Sequence, residues 1–304
     1  MKVLRFAPEV PISGHQLNNN TSITALTEFS SLVGIAYNNS STDDLFFLRS
    51  TDKQATDWLG PLTIDANGGE WMSLAQDASQ FNLAYYRDGD LFFKASQNDG
   101  TTFNISGNPD VTADDAGNYC SCALIVGRPA VAYHNATDGA LYYVRASNSS
   151  GSGAWDPPIL VDDTGNTGQY TSLVFGATGP LIAYYRQDNG NLLIASAANS
   201  TGSSWNSPVI VDNSTDDVGR YASLLRNVTF PTIACFNATD NQVLYIQSDD
   251  VLGNSWGAPQ VVNANGINSL QLVRINGYPT IFFTTTTFQT MFVRAVDFDA
   301  TQWG

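Results

Sequence analysis

Glutamate and lysine, two good helix formers, are almost absent from this sequence. Among its 304 residues they occur at six positions only: Glu9, Glu28, Glu70, Lys2, Lys53 and Lys94. Asparagine, aspartate, glycine and serine instead crowd the breaks between short apolar runs, where these residues favour turns. The composition therefore predicts an all-β protein with many loops.

Positive charge is also scarce. The chain has 13 lysine and arginine residues against 28 aspartate and glutamate residues, which gives a formal net charge of -15. A surface of this sign repels the phosphates of nucleic acids and the headgroups of anionic lipids. Nucleic acid and an anionic membrane surface are therefore excluded as expected partners.

Cysteine and histidine are too few for a disulfide framework or a histidine metal site. Cys120 and Cys122 are expected on the same face of one strand and Cys235 lies far along the chain, which predicts three buried free thiols. His15 and His134 are the only histidines, and the Asp-x-Asp-x-Asp-Gly pattern of a calcium loop does not occur. We expect no cofactor and no metal site, although calcium binding by the Asp and Asn turns is left open.

The sequence also lacks a long apolar run. No stretch approaches the length of a membrane span, so membrane insertion is not expected, and residues 1–14 lack the apolar segment of a signal peptide. This favours synthesis in the cytosol. A surface or extracellular role stays open, because acceptor sequons for N-glycosylation occur at Asn19, Asn20, Asn38, Asn39, Asn104, Asn135, Asn148, Asn199, Asn213, Asn227 and Asn237.

One pattern of four short apolar runs recurs along the whole chain. It is clearest in residues 168–212, where Gly, Asn, Ser or Pro separates the runs and predicts four strands. The second run of each copy aligns, at intervals of 48, 48, 51, 51 and 48 residues, on Ala36, Ala84, Ala132, Ala183, Ala234 and Phe282. Six copies of four antiparallel strands predict a six-bladed β-propeller.

The propeller is expected to be a single domain over residues 1–304. Its blades are predicted at approximately 14–65, 66–114, 115–163, 164–213, 214–264 and 265–304 plus 1–13. The sixth copy stops at Trp303-Gly304, before its fourth run, and a matching run begins at Phe6. We therefore expect the N-terminal strand to complete the last blade and close the ring, which would remove an open sheet edge.

The segment Ser96-Gln97-Asn98-Asp99-Gly100-Thr101-Thr102-Phe103 resembles the Asp-box, Ser-x-Asp-x-Gly-x-Thr-Trp, of sialidase-like propellers. In that family the Asp-box is a structural turn away from the active site, so this resemblance implies a fold and no catalytic residue. The repeat period, the Ile-Ala-Tyr-Tyr second run and the Trp that opens the fourth run also resemble six-bladed fungal fucose-binding lectins. Those lectins pair an Arg on the second strand with a Glu on the third strand and a Trp. The third runs here contain no Glu, so the resemblance does not carry fucose specificity over.

Candidate binding residues are predicted at one rim of the propeller, where the loop into the first strand and the loop out of the second strand emerge together. An aromatic ring there can stack on the apolar face of a pyranose, while Asp, Asn and Arg pair with its hydroxyls. We predict four glycan sites from these residues: Trp71, Tyr119, Tyr170 and Tyr221; Arg87, Asn135, Arg186 and Asn237; and Asp65, Asp114, Asp162 and Asp212. In the alternative interpretation the aromatic residues seal the core between blades, and the serines two positions later hydrogen-bond neighbouring inner strands: Ser73, Ser121, Ser172, Ser223 and Ser269.

The function predicted from these observations is non-enzymatic, multivalent binding of glycans or glycoproteins. A sialidase-like hydrolase needs an arginine cluster, an acidic Asp and a Tyr nucleophile helped by Glu, whereas Arg87, Arg186 and Arg220 occupy repeat-related positions. No residue is therefore assigned a catalytic role. A structural or protein-interaction module of a surface or virion assembly, with a protein partner on one propeller face, stays as the alternative, and the hydrolase as a third hypothesis.

Overall fold

The computed structural model describes residues 32–39, 44–52, 57–77, 80–226, 230–264, 266–287, 289–297 and 300–304. These residues form six antiparallel sheets, one for each sequence repeat, and their only helical element is the short 3-10 turn Asn98–Gly100 in the Asp-box-like segment. The predicted all-β, six-bladed propeller is confirmed. The expected ring closure falls on residues 1–13, which lie outside the described residues.

Each blade is a meander of consecutive strands, with the first strand innermost where it is described. Blade one contains Gly34–Asn38, Leu45–Ser50 and Trp58–Asp65. Blade two contains Glu70–Gln76, Phe81–Arg87, Asp90–Gln97 and Thr102–Gly107. Blade three contains Ala116–Ile125, Arg128–Asn135, Ala140–Arg145 and Ile159–Asp162. Blade four contains Thr167–Phe175, Pro180–Arg186, Asn191–Ser196 and Val209–Asp212. Blade five contains Val218–Arg226, Pro231–Asn237, Gln242–Gln247 and Gln260–Asn263, and blade six contains Ile267–Ile275, Tyr278–Thr285 and Thr290–Arg294.

The core is built between blades rather than within one layer. Second strands are apolar on both sides because a neighbouring blade covers each face, and Leu83, Ala84 and Tyr85, for example, are fully buried. In blades three, four and six a tryptophan that forms a β-bridge just after the third strand packs edge-on against a third-strand ring of the preceding blade. Ring centroids lie 4.9 Å, 5.2 Å and 4.9 Å apart in Phe93–Trp155, Tyr143–Trp205 and Tyr245–Trp303. These tryptophans are therefore structural.

Serine hydroxyls link successive inner strands around the axis, as the alternative interpretation of the motif predicts. In each link the backbone N–H of one blade donates to the serine Oγ of the blade before it. The bonds are 2.9 Å for Cys122 to Ser73, 3.0 Å for Leu173 to Ser121, 2.9 Å for Leu224 to Ser172 and 2.9 Å for Leu272 to Ser223. These serines are thus committed to holding blades together.

The three cysteines are buried free thiols, as predicted. Cys120 and Cys122 alternate with a half-buried residue, so both face the interior from one strand. Cys120 Sγ lies 2.8 Å from the backbone carbonyl oxygen of Trp71 in the neighbouring blade. Burial raises the pKa of all three thiols, which keeps them protonated and unreactive at neutral pH.

Candidate functional site

Four aromatic side chains meet at one end of the propeller axis. Trp71, Tyr119, Tyr170 and Tyr221 each come from the inner strand of a different blade, from blade two to blade five. Ring centroids lie 3.9 Å apart for Trp71–Tyr119, 4.8 Å for Tyr119–Tyr170 and 4.9 Å for Tyr170–Tyr221. Trp71 and Tyr170 are also within 6.4 Å, although a blade separates them. These four residues form the axial cluster, and all are half-buried.

The backbone at the axial cluster is what turns the rings towards each other. Each of the four residues has a positive φ, between 49° and 56°, in a region that bulky residues rarely adopt. At each one the inner strand also gains an extra residue relative to the second strand. Such a bulge re-aims a side chain, and a glycine within a strand is its usual sign. The repeated Gly-x-aromatic-x-Ser motif was thus the signal that could have revealed the cluster.

A polar residue precedes each ring of the axial cluster in the sequence. The residue before each ring is Glu70, Asn118, Gln169 or Arg220. Three of these four donate hydrogen bonds to the rim. The bonds run from Asn118 Nδ2 to Asp115 Oδ1 at 3.1 Å, from Gln169 Nε2 to Gln187 Oε1 at 2.8 Å and from Arg220 Nη2 to Asp217 Oδ2 at 2.6 Å. The side chains of Asn118, Gln169 and Arg220 therefore connect the strand positions next to the rings with the rim.

The tyrosines of the axial cluster are neutral at physiological pH. Burial raises the pKa of Tyr119, Tyr170 and Tyr221 above the usual range of a phenol. A neutral phenol donates and accepts hydrogen bonds, whereas a nucleophilic tyrosine needs a lowered pKa or an adjacent base. The electrostatics of the cluster therefore suit binding better than covalent chemistry.

The predicted arginines and aspartates pair with each other across blade junctions. Asp65, at the end of blade one, accepts hydrogen bonds from the hydroxyl of Tyr85, at 2.8 Å, and from the guanidinium of Arg87. Asp162, at the end of blade three, accepts from the hydroxyl of Tyr184 at 2.7 Å and lies 3.4 Å from Arg186 Nη2. Each carboxylate thus joins its blade to a Tyr-x-Arg sequence in the next one.

At the junction of blades two and three the carboxylate that accepts the tyrosine hydrogen bond is that of Asp110. The sequence alignment predicted Asp114 instead. The hydroxyl of Tyr133 donates to Asp110 Oδ2 at 2.7 Å, which matches the Tyr85 and Tyr184 bonds. Asp114 lies four residues further on, with one oxygen 3.5 Å from Asn135 Nδ2. The sequence alignment missed this because the loop after the fourth strand is longer in blade two.

The remaining predicted residues also have structural contacts. Asn135 and Asn237 are buried. Their side-chain oxygens accept backbone hydrogen bonds, from Thr137 at 2.9 Å and from Asp240 at 3.0 Å, and so hold the turns after the second strands. Asp212 Oδ1 accepts from the backbone N–H of Ser214 at 2.8 Å.

The structure therefore brings the four predicted aromatic residues together with one another, and the predicted arginines together with aspartates. The sequence analysis predicted an Arg or Asn of the second strand beside each ring. In the structure, the residue that lies beside the ring is the one directly before that Arg or Asn. His134 lies 6.2 Å from Tyr119 and Tyr185 lies 6.1 Å from Tyr170, measured between ring centroids. Successive residues of a strand face opposite sides, which explains this shift by one position. A role for the predicted residues in glycan binding stays a prediction.

Tyrosines that sequence reasoning overlooked bridge blades at the rim. The hydroxyl of Tyr86 donates to Asp115 Oδ1 at 3.0 Å, and that of Tyr185 donates to Asp217 Oδ1 at 2.7 Å. In each pair the aspartate begins the following blade. The second tyrosine of the repeated Tyr-Tyr-Arg sequence was the available signal.

Across the ranges that the structure describes, no group of three or more His, Cys, Asp or Glu side chains is placed to hold a metal ion. The same ranges contain no helix with the length and apolar character needed to cross a membrane.

Comparison with known proteins identifies the fold of the chain and no family. No protein-family model and no curated protein sequence matches it. Among solved structures, the fungal lectin of Aleuria aurantia, a six-bladed β-propeller with a fucose recognition mode, superimposes with a TM-score of 0.60 and 13% identity over 95% of this chain and 96% of that chain. An ulvan lyase superimposes with a TM-score of 0.61 and 14% identity over 92% and 80% of the two chains. A thermostable family-43 glycoside hydrolase does so with a TM-score of 0.51 and 11% identity over 77% and 91%. At these identities the similarity confirms the architectural resemblance to six-bladed fungal lectins and propeller enzymes: the protein is similar to them in fold.

Proposed function

We propose that this protein is a carbohydrate-binding propeller that acts without catalysis. The observation that carries the proposal is the axial cluster, in which four aromatic rings from four blades share one half-buried surface. A pyranose can lay its apolar C–H face on such a surface. The residues that precede the rings, Glu70, Asn118, Gln169 and Arg220, would supply donors and acceptors for its hydroxyls.

The backbone of the axial cluster also supports a binding role. A bulky residue in the left-handed region costs about 1 to 2 kcal/mol, and the cluster carries four such residues. Strain of this kind gathers where structure serves function. The serine links alone would hold the inner strands together without aromatic residues in that conformation.

Two considerations favour binding over hydrolysis. The raised pKa of Tyr170 and its neighbours, caused by burial, opposes their use as nucleophiles. The arginines of the predicted sites, Arg87 and Arg186, are committed to aspartates at blade junctions and do not form a cluster for a substrate carboxylate.

The geometry also changes the expected number of sites. Because the rings contact each other, a sugar on one ring covers its neighbours. We therefore expect one axial site for each chain in place of four separate sites. Multivalent binding would then require several copies of the chain on one surface.

A glycan array followed by calorimetric titration tests the proposal. Wild-type protein should bind a defined set of glycans with about one site per chain. Tyr170→Ala should abolish binding, whereas Tyr170→Phe should keep most of it because the ring is retained. Tyr142→Ala is the matched control, since Tyr142 is, like Tyr170, half-buried, but lies on a third strand, where its hydroxyl donates to Asp138 at 2.7 Å. It should bind like wild type.

Two results would contradict the proposal. If no glycan on the array binds and the protein forms a discrete assembly in solution, the protein-interaction alternative is supported. Release of reducing sugar or unsaturated product from an array hit would show that the protein is an enzyme.

A further inference from the structure

A depression of about 550 Å³ lies between blades two and three, on the rim where second strands end and first strands begin. This volume falls within the range of ligand sites, roughly 300 to 1,000 Å³. The depression is lined by Tyr86, Asp88, Gly89, Asp90, Ala113, Asp114 and Asp115. Tyr86 gives it an aromatic wall, and the aspartates give it hydrogen-bond acceptors.

A short turn opens this space. In blade two the second and third strands are joined by Asp88 and Gly89 alone, since Arg87 pairs with Asp90. The corresponding turns of blades three, four and five each have four residues. In the turns of blades two, three and four a glycine carbonyl oxygen, of Gly89, Gly139 or Gly190, accepts a backbone N–H of the next blade. The space beside the glycine is what differs between the short turn and the two longer ones. A Cβ on Gly190 would lie 3.0 Å from Asp217 Cα and one on Gly139 3.8 Å from Asn166 Cα, whereas one on Gly89 would meet nothing within 4 Å.

Hydrogen bonds to Asp115, which lines the depression, link it to the residue beside the axial cluster. Asp115 accepts a hydrogen bond from Tyr86 at 3.0 Å on the side of the depression and another from Asn118 at 3.1 Å on the side of the axis. Asn118 directly precedes Tyr119 of the axial cluster. A ligand stacked on the cluster can therefore extend outward past Asn118 to Tyr86.

The chemistry of the lining selects the ligand. Ionised carboxylates accept hydrogen bonds and donate none, so they pair with hydroxyl groups and repel carboxylate or sulfate groups. Asp88 forms a long ion pair with Arg87, 3.8 Å between Oδ2 and Nε, which is beyond hydrogen-bond distance, and 87% of its side chain is exposed. Its oxygens can therefore accept hydrogen bonds from a ligand. A sugar ring against Tyr86 would gain the same stacking as one on the axial cluster.

We propose that the depression is a second subsite of the same binding site, and that the ligand is a neutral oligosaccharide rather than a monosaccharide. This inference rests on the proposed function, because it assigns the first sugar of the ligand to the axial cluster and a following sugar to the depression. It predicts that affinity rises with chain length. It also predicts that carboxylated or sulfated analogues bind more weakly than neutral ones of the same length.

The test measures dissociation constants for mono-, di- and trisaccharides of the best neutral glycan series from the array. Wild type should bind the trisaccharide roughly tenfold or more tightly than the monosaccharide, as expected for added hydrogen bonds to charged groups. Replacing Asp88-Gly89 with the blade-three turn, residues 136–139, should remove this gain and leave the monosaccharide constant unchanged. Asp88→Ala should reduce the gain several-fold, and the control Asp163→Ala, an exposed carboxylate on the same rim, should not.

The outcomes separate the two proposals. If wild type binds monosaccharide and trisaccharide equally, the subsite is refuted and the axial site stands. If a folded turn graft keeps the full gain, the subsite is likewise refuted. Should the graft fail to fold, Asp88→Ala and Tyr86→Ala decide, and an unchanged gain in both overturns the inference. If wild type binds no glycan of any length, both proposals fall.

Discussion

Removing the hydroxyl of Tyr184 should destabilise the propeller, although the aromatic ring stays and continues to fill the core. Tyr184 is fully buried, and its hydroxyl donates to Asp162 Oδ2 at 2.7 Å. The Asp162 side chain is only 1% exposed, so water does not replace the lost donor. A hydrogen bond to a charged group contributes about 1.5 to 3 kcal/mol. For Tyr184→Phe we expect a loss of about 2 kcal/mol, which lowers Tm by about 4 °C for a chain of this size.

Two further variants calibrate this loss. Tyr85→Phe should lose less, about 1 kcal/mol, because Asp65 is 11% exposed and keeps the guanidinium of Arg87. Tyr142→Phe removes a hydroxyl that donates to Asp138 in an exposed position, and it should change stability by less than about 0.5 kcal/mol. Scanning calorimetry of the three variants beside wild type gives the order. If Tyr184→Phe and Tyr142→Phe melt at the same temperature, the junction bond does not stabilise the fold and the reasoning is refuted.

Three other perturbations test separate parts of the structure. Val126 has a φ of 49° in the two-residue turn that joins the first and second strands of blade three. The equivalent residue of blade six is Asn276, which has a similar φ of 52°. Val126→Asn should therefore stabilise the protein by about 1 kcal/mol in urea unfolding, and a lower midpoint would contradict this. Burial lowers the pKa of His134, so the unfolded chain binds more protons and stability should fall as pH drops below about 6.5. His134→Gln should flatten that pH profile, and an equally steep one would assign the effect to other groups. Deletion of residues 1–12 should lower Tm if the N-terminal strand closes the ring, and an unchanged Tm would refute closure.

The architecture was predictable because a propeller repeats local patterns. The alignment of Ala36, Ala84, Ala132 and Ala183 marks buried second strands, and these residues are fully buried in the structure. These features depend on strand periodicity and turn chemistry, which are properties of short segments.

The candidate site was only partly predictable. Sequence analysis selected all four rings of the axial cluster but distributed them over four sites. It placed Arg186 beside Tyr170, whereas Arg186 turns to Asp162 and Tyr185 faces the ring. A shift of one residue along a strand reverses the face of a side chain, and the bulge that causes the shift is a tertiary feature of the inner strands.

The sequence by itself thus determined the number of blades, the all-β class, the buried thiols and the identity of the aromatic residues, because each follows from composition or from a repeat of local pattern. Only the tertiary structure decided what those residues contact. A positive φ on the inner strands of blades two to five carries four rings into one cluster at the axis. The packing of one blade on the next pairs Asp65 and Asp162 with tyrosine and arginine of the following repeat. Both arrangements depend on contacts between residues about 20 to 50 positions apart, which strand periodicity does not encode.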